Sequence, residues 1–341
     1  MTSNSETLRR ITRPARVAIV GCGNISSMHL DGLSAHGDRA VAVAAVDPAP
    51  DRREWARREW GIENTYSTVD ELVAAGGVDA AIVSTPSQVR LAAIDALAKA
   101  GIALLIEKPL ADSIEEAHAI AELARRTDTV MGVDQNFRDH YAFGMAREVI
   151  AAGEIGGVYG IDHRELVYRT STGWRAEAKR HALAVMGIHW FDGFRYLLPE
   201  DADWLVCRTT KSQALETAGE TDAFIQIHFG AATVNYTQSF ASRFERIETI
   251  VFGECGTLRL GYGQLEVATA DGVRTLTNPF AGEGKPQSAY HCLEQVLEAV
   301  DRGTQPANSV EDNLKTLSLL MAAYRSAETG APVTLEGGLL R

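Results

Sequence analysis

Two glycines, an acid, a lysine and a histidine are the residues of this chain whose types and spacing could do chemistry. Gly21 and Gly23 follow the apolar run Val17 to Val20, and a helix-compatible segment starts at Ile25. Gly21 permits a tight strand-to-helix turn, and Gly23 lets the backbone approach a pyrophosphate resting on the helix N-terminus. A second apolar run, Val41 to Val46, ends on Asp47, whose carboxylate can accept both hydroxyls of an adenosine ribose. Strand, glycine turn, helix and acid in this order are what dinucleotide binding requires. Ser26 stands where the fingerprint's third glycine would, and is small enough for close helix–strand packing. Asp47 would also repel a 2′-phosphate, so NAD is expected rather than NADP. Arg52 and Arg53 argue the other way, because a guanidinium could bind that phosphate. Further along, Lys108 lies between Glu107 and Pro109 at a strand end, and His189 stands one helical turn before Asp192.

The elements that must position these residues alternate up to about Val133. Strands are expected at 16–20, 41–46, 79–84, 103–106 and 129–133, with helices near 25–36, 51–60, 69–75, 88–100 and 113–126. Such alternation means a parallel sheet covered on both faces, with ligands beyond the carboxyl ends of its strands. After residue 134 the pattern changes. A helix at 141–152 and a strand at 158–168 lead to an irregular stretch, 169–180, and a helix at 183–198. Strands rich in β-branched and aromatic residues follow at 204–210, 222–229, 232–240, 246–252, 257–260, 264–268 and 273–276. Runs of strands imply a largely antiparallel sheet, and helices at 288–302 and 310–329 close an α+β second domain. The expected division is 14–134 and 135–341.

Composition narrows the classes. The chain has 341 residues, 45% hydrophobic and 23% charged, which suits two globular domains. No apolar run approaches the ~20 residues of a membrane span, and the polar segment Met1 to Arg13 lacks the apolar core of a signal peptide. A net charge of −12 argues against nucleic acid, which needs a basic stripe. The four cysteines, Cys22, Cys207, Cys255 and Cys292, form no CxxC pair, so no metal site or disulfide is expected, and a cytoplasmic setting is.

Taken together the motifs resemble the Gfo/Idh/MocA family, typified by glucose–fructose oxidoreductase and inositol dehydrogenase. The resemblance spans about residues 14 to 336 and rests on Gly21-Cys-Gly23, Thr85-Pro86, Glu107-Lys108-Pro109 and Gly187-Ile-His189-Trp-Phe-Asp192. The tail Gln305-Pro306, Glu311-Asp312 and Tyr324-Arg-Ser326 is similar to the family's ending. It implies an α/β Rossmann N-terminal domain, an α+β C-terminal domain with a large, mostly antiparallel sheet, a nicotinamide cofactor and a sugar-like substrate. Two positions depart from it: Arg90 stands where many members carry His, and Val185 where catalytic members often carry Asp.

Oxidising an alcohol with a nicotinamide moves a hydride to the cofactor and a proton to a base. Lys108 is expected to hydrogen-bond the substrate oxygen and stabilise its negative charge. His189 is expected to transfer the proton, since imidazole titrates near neutrality. A cis peptide bond is expected before Pro109. Asp192 would orient the imidazole or receive a substrate hydroxyl, and Trp174, Arg175 and Arg164 are further substrate-binding candidates. Arg164 shares a strand with His163, so only one of the two can face the site. Residues assigned to the cofactor are Gly21, Gly23, Asn24, Ile25, Asp47, Thr85, Pro86, Glu107, Lys108 and Gln135.

The expected function is an NAD(P)-dependent oxidoreductase acting on a sugar, inositol or related polyol. The alternatives are a glycoside-cleaving or lyase enzyme that oxidises transiently, and a cofactor-binding sensor without turnover. A broad antiparallel sheet needs its outer face covered, so a homodimer or homotetramer through the C-terminal sheet is expected.

Overall fold

The structure, a computed structural model, describes residues 14–261, 263–279 and 284–341. The chain forms two compact units. One gathers the residues up to Asn136 with the stretch through Leu314, and the other runs from Phe137 and takes in Lys315–Arg341.

The first unit alternates β1 (Ala15–Val20), α1 (Asn24–Ala35), β2 (Ala40–Val46), α2 (Pro50–Trp60), β3 (Asn64–Tyr66), α3 (Val69–Ala75), β4 (Ala80–Val83), α4 (Ser87–Lys99), β5 (Ala103–Ile106), α5 (Ile114–Thr127) and β6 (Met131–Val133). Its described strands form a parallel sheet in the order β3-β2-β1-β4-β5-β6. Every residue of β4 and β5 is buried, as expected of strands with helices on both faces. The order reverses between β1 and β4, and ligands of doubly wound sheets bind at that point. Local chemistry sets the helix starts: Thr68 and Ser113 accept from the amides of Glu71 and Glu116, capping α3 and α5.

In the second unit come α6 (Tyr141–Ala151), β7 (Val158–Tyr168), a short helix α7 (Trp174–Glu177) and α8 (Ile188–Leu197), which a π-helical turn, Leu183–Gly187, precedes. Then follow β8 (Ala202–Thr210), β9 (Asp222–Phe229), β10 (Ala232–Ser239), β11 (Ala241–Gly253), β12 (Gly256–Leu260), β13 (Gln264–Thr269) and β14 (Gly272–Thr277). After α9 (Lys285–Arg302) and α10 (Val310–Thr329), β15 (Val333–Thr334) completes a nine-stranded sheet ordered β14-β13-β12-β11-β7-β10-β9-β8-β15. All its neighbours pair antiparallel except β7 and β10, which are parallel.

One segment differs from the sequence-based division. Helix α9 belongs to the first unit, although it follows the strands of the second. Ala289, Cys292, Leu293, Val296 and Leu297 recur at i, i+3, i+4, i+7 and i+8, and the last four of this buried stripe join the core of Leu30, Leu33, Ile82 and Leu105. Gly32 of α1 permits the approach, since a Cβ there would lie 2.5 Å from the Pro286 carbonyl oxygen. No described helix is long and apolar enough to cross a membrane.

Candidate active site

At the carboxyl end of β1 the chain turns through Gly21, whose φ is 95°. A side chain there would meet backbone atoms of Ser84 and Thr85 at 3.0 Å, so both conformation and space require glycine. Gly23 differs. Its φ is −80°, and a Cβ there would meet nothing within 4 Å. The protein itself does not need that space, which suits a ligand phosphate at the start of α1. Asn24 is exposed and Ile25 half-buried in that first turn. Ser26 is fully buried, and its hydroxyl donates to the Gly23 carbonyl. Asp47 accepts from the Cys22 amide at 2.8 Å and the Ala49 amide at 2.9 Å. Arg52 Nε donates to the Cys22 carbonyl at 2.7 Å, and Arg53 Nη1 donates to the Asp47 carbonyl at 2.7 Å.

Thr85 and Gln135 are among the side chains of this unit that carry buried polar atoms with no protein hydrogen-bond partner. Thr85 has its hydroxyl in that state, and Gln135, only 2% exposed, has both amide atoms. Buried polar groups are normally satisfied, so a hydroxyl and a carboxamide left open beside the strand ends fit a polar ligand such as a nicotinamide nucleotide. Pro86 is exposed and caps α4.

Glu107 and Lys108 follow β5, and the Lys108–Pro109 peptide is cis. Glu107 Oε1 lies 2.9 Å from His29 Nε2, while Oε2 accepts from the Lys108 amide at 3.1 Å. Asp134, which ends β6, brings Oδ2 to 3.8 Å from the same imidazole nitrogen. All three acid–base groups are buried. Burial, then the Glu107 charge, pushes Asp134 up to about 8, so it keeps its proton at neutral pH. Burial raises Glu107, but the His29 hydrogen bond and the charges of His29, Lys108 and Arg90 together outweigh it and hold the carboxyl below its ordinary value. Burial opposes the His29 cation, yet Glu107 and Asp134 together raise it. The cluster thus holds one carboxylate, one carboxylic acid and an imidazole that gains a proton readily. Its ligand atoms lie within 4.8 Å of one another, a spacing at which the three side chains could also hold a metal ion.

The second unit positions His189. Glu220 accepts from the amides of His181 and Leu183, both at 2.9 Å, and from the Tyr324 hydroxyl at 2.8 Å. It thereby caps the π-helical turn that feeds α8. Eight residues of α8 are buried, including His189 at 6% exposure. Its ring stacks on Phe137, with centroids 4.3 Å apart and planes 12° from parallel. Gly187 and Gly193 let the helix lie close, since side chains there would meet Leu183 and Phe143 at 2.8 and 2.7 Å. Val185 packs with Ala182, Leu215 and Phe240 in a small apolar cluster.

Two residues assigned to the substrate from the sequence already have protein partners here. Asp192 is fully buried, and its oxygens accept from Arg138 at 2.5 and 2.7 Å and from the Thr316 hydroxyl at 2.8 Å. Those partners engage the carboxylate and make it an anchor of α8. Arg164 is exposed and pairs with Asp162 at 3.3 Å. Its strand neighbours His163 and Glu165 are the buried ones: the His163 ring lies 4.0 Å from Trp190 of α8, and Glu165 accepts from the Trp190 indole at 2.5 Å. Alternation along β7 therefore sends Arg164 to the face away from α8. His163 is a core residue, with burial lowering its imidazole to about 3. Arg175 is exposed on α7; Trp174 begins that helix, and its side chain lies outside the described residues.

Sequence reasoning missed the roles of His29, Asp134, Arg138, Glu220 and Tyr324. Asp134 was the most legible of them, being an acid at the end of a strand, as Asp47 is. The others act across 54 to 104 residues of sequence or from within a helix, where spacing carries no signal.

With this geometry in place, the comparisons define the family. Residues 15–135 match the model of the oxidoreductase family with an NAD-binding Rossmann fold, and residues 143–259 match the GFO/IDH/MocA C-terminal domain. The chain belongs to the Gfo/Idh/MocA oxidoreductases, and its first unit is an NAD-binding domain. It is 28% identical to D-apiose dehydrogenase of Paraburkholderia graminis, over 94% of this chain and 89% of that protein. It is also 28% identical to inositol 2-dehydrogenase of Rhizobium meliloti, over 91% of this chain and 96% of the relative. The crystal structure of an oxidoreductase from Agrobacterium radiobacter in complex with NAD+, L-tartaric acid and magnesium superposes with a TM-score of 0.88. That pair shares 24% identity over 94% of this chain and 98% of the other, a likeness of fold.

Proposed function

We propose that the chain is an NAD-dependent dehydrogenase of a sugar, inositol or related polyol. When bound, NAD supplies the hydride acceptor. Lys108 donates a hydrogen bond to the reacting oxygen and stabilises its developing negative charge. His189 takes up or returns the hydroxyl proton. Thr85 and Gln135 offer their open hydroxyl and carboxamide to the nicotinamide half, and Asp47 offers its carboxylate to the adenosine ribose. Gly21 and Gly23 cradle the pyrophosphate, with Asn24 and Ile25 opening the helix against it. Pro86 and Glu107 shape the adjoining loops, and Trp174 and Arg175 remain proposed substrate contacts. The observation that carries this reading is the buried, unpartnered amide of Gln135 in the unit that also holds the open Gly23 turn.

The substrate class rests on relatives named for D-apiose and inositol and on retention of Lys108 and His189. The test is absorbance of reduced cofactor after mixing protein and NAD+ with D-apiose, myo-inositol and related polyols. Turnover with at least one, lost in Lys108→Met, is the expected result. Full turnover in folded Lys108→Met would sink the mechanism.

We further propose a homodimer or homotetramer through the outer face of the nine-stranded sheet. Phe224, 52% exposed, lies on that face with the stacked pair Trp204 and His228. Sedimentation at micromolar concentration should give an oligomer, and a monomer would remove this claim. The free cysteines, three of them buried, suit the reducing cytoplasm as the place of work.

A further inference from the structure

Arg90 lies in the first turn of α4, and only 3% of it is exposed. The two terminal nitrogens of its guanidinium are spent on backbone carbonyls from two loops. Nη2 donates to the Thr85 carbonyl at 2.6 Å, and Nη1 donates to the carbonyls of Glu107 and Pro109. Those last two residues flank Lys108. The Lys108 amide is itself held by Glu107 Oε2 at 3.1 Å, and the other oxygen of that carboxylate is held by His29. The peptide group before Lys108 and the Pro109 carbonyl beyond it are therefore hydrogen-bonded, and the same guanidinium holds the Thr85 carbonyl.

We propose that Arg90 is a positioning residue that clamps the Thr85 turn to the Glu107–Pro109 loop and so fixes Lys108 for the reaction. The proposal rests on the catalytic reading of Lys108 given above. A planar fork of fixed N–H donors can meet carbonyls from two loops at once, whereas an ammonium is a point charge on a flexible stem. Burial lowers the guanidinium to about 10, so it stays charged at neutral pH, with Glu107, Asp112 and Glu116 supplying the opposite charge. A buried charge is a costly way to gain stability alone. Its return is geometric, because misplacing a reacting group by about 1 Å can cost roughly 10²-fold in rate.

The experiment compares Arg90→Met, Lys108→Met and the double variant with the wild type. Amide hydrogen exchange should rise about tenfold in the segment 107–112 of Arg90→Met, while β4 and β5 stay protected. Affinity for NAD+, titrated by protein fluorescence, should change by less than about threefold. Turnover with the best of D-apiose and myo-inositol should fall by about 10–10². Adding Arg90→Met to Lys108→Met should cost nothing further, because residues acting through one another are not additive. Exchange that rises evenly across the strands, or not at all, overturns the clamp, as does an additive loss in the double variant. A fall in NAD+ affinity that matches the loss of turnover would make Arg90 a cofactor-site residue instead, and also overturns it. Full turnover in Lys108→Met would defeat the catalytic reading, while the exchange result still decides the clamp. If Arg90→Met does not fold, Arg90→Lys keeps the charge, loses the fork, and is judged by the same measurements.

Discussion

In the first unit Lys108 rides on a loop whose flanking carbonyls, those of Glu107 and Pro109, are held by Arg90, whereas in the second His189 rides on a helix held by ring stacking and a buried ion pair. The difference follows from backbone chemistry. A loop beyond a parallel strand leaves carbonyls and amides without ladder partners, so charged side chains such as Arg90 and Glu107 must satisfy them. A helix satisfies its own interior backbone, and its placement is left to packing and to its ends. Damage in the first unit should therefore appear as lost geometry, and damage in the second as lost stability.

The sharpest challenge to that contrast is His189→Ala. If the imidazole transfers the proton, turnover should fall by roughly 10²–10⁴. A lowered thermal midpoint with unchanged turnover per folded molecule would instead make His189 a packing residue beside Phe137. Asp192→Ala probes the same helix from its anchor. Removing the carboxylate leaves Arg138 and Arg195, 12% and 9% exposed, without their shared partner. Breaking such a buried pair typically costs about 3–5 kcal/mol, to be read by urea denaturation. A loss below about 1 kcal/mol would show that water already screens the pair, and α8 would then owe its place to packing alone.

A smaller effect is expected at Asp47, on the side of the first unit where a ligand replaces protein partners. Charged hydrogen bonds are worth about 1.5–3 kcal/mol, so Asp47→Ala should weaken NAD+ binding by about 10–10² and narrow its advantage over NADP+. Arg52 and Arg53 already donate to the carbonyls of Cys22, Asp47 and Pro48, which reduces their call on a 2′-phosphate. Tighter binding of NADP+ than NAD+ by the wild type would reverse the assignment.

What could be read from the sequence divides along the same line. The glycine turn, Asp47, Thr85-Pro86 and Glu107-Lys108 were legible because parallel strands end in short loops, where residues near in sequence stay near in space. The longer helices and strands were legible from periodicity; the four-residue helix Trp174–Glu177, in the stretch read as irregular, and the strands Asn64–Tyr66 and Val333–Thr334 are too short to show any. The return of α9 was not legible, because its apolar stripe says that it packs but not on what. Arg138 and Thr316 reach Asp192 across 54 and 124 residues of sequence, so the i+3 spacing from His189 gave a local reading of a long-range pair. The facing of Arg164 was not legible for a different reason: alternation says that one of two neighbours faces inward, but burial decides which.

The smallest expected effect concerns the charge that the first unit keeps out of its own cluster. Asp134 faces Glu107, His29 and Cys292, and its carboxyl is raised from 3.8 to about 8. Between those values the unfolded chain has released this proton and the folded chain has not. The unfolded state then binds fewer protons, so stability declines as pH rises across the window. His29, raised above its ordinary value, adds to the decline, because its contribution is complete below pH 6.5 and is lost as its folded form deprotonates. Glu107 acts in the opposite sense: its lowered carboxyl stabilises above pH 4.5, and that contribution is lost in acid. Asp134→Asn keeps the size of the side chain and cannot ionise. Its thermal midpoint should therefore change less between pH 5 and pH 8 than the wild type's, with the curves drawing together or crossing on the alkaline side. Parallel curves would mean that Asp134 is ionised throughout, and that Glu107 and His29 hold their loop without a neutral acid beside them.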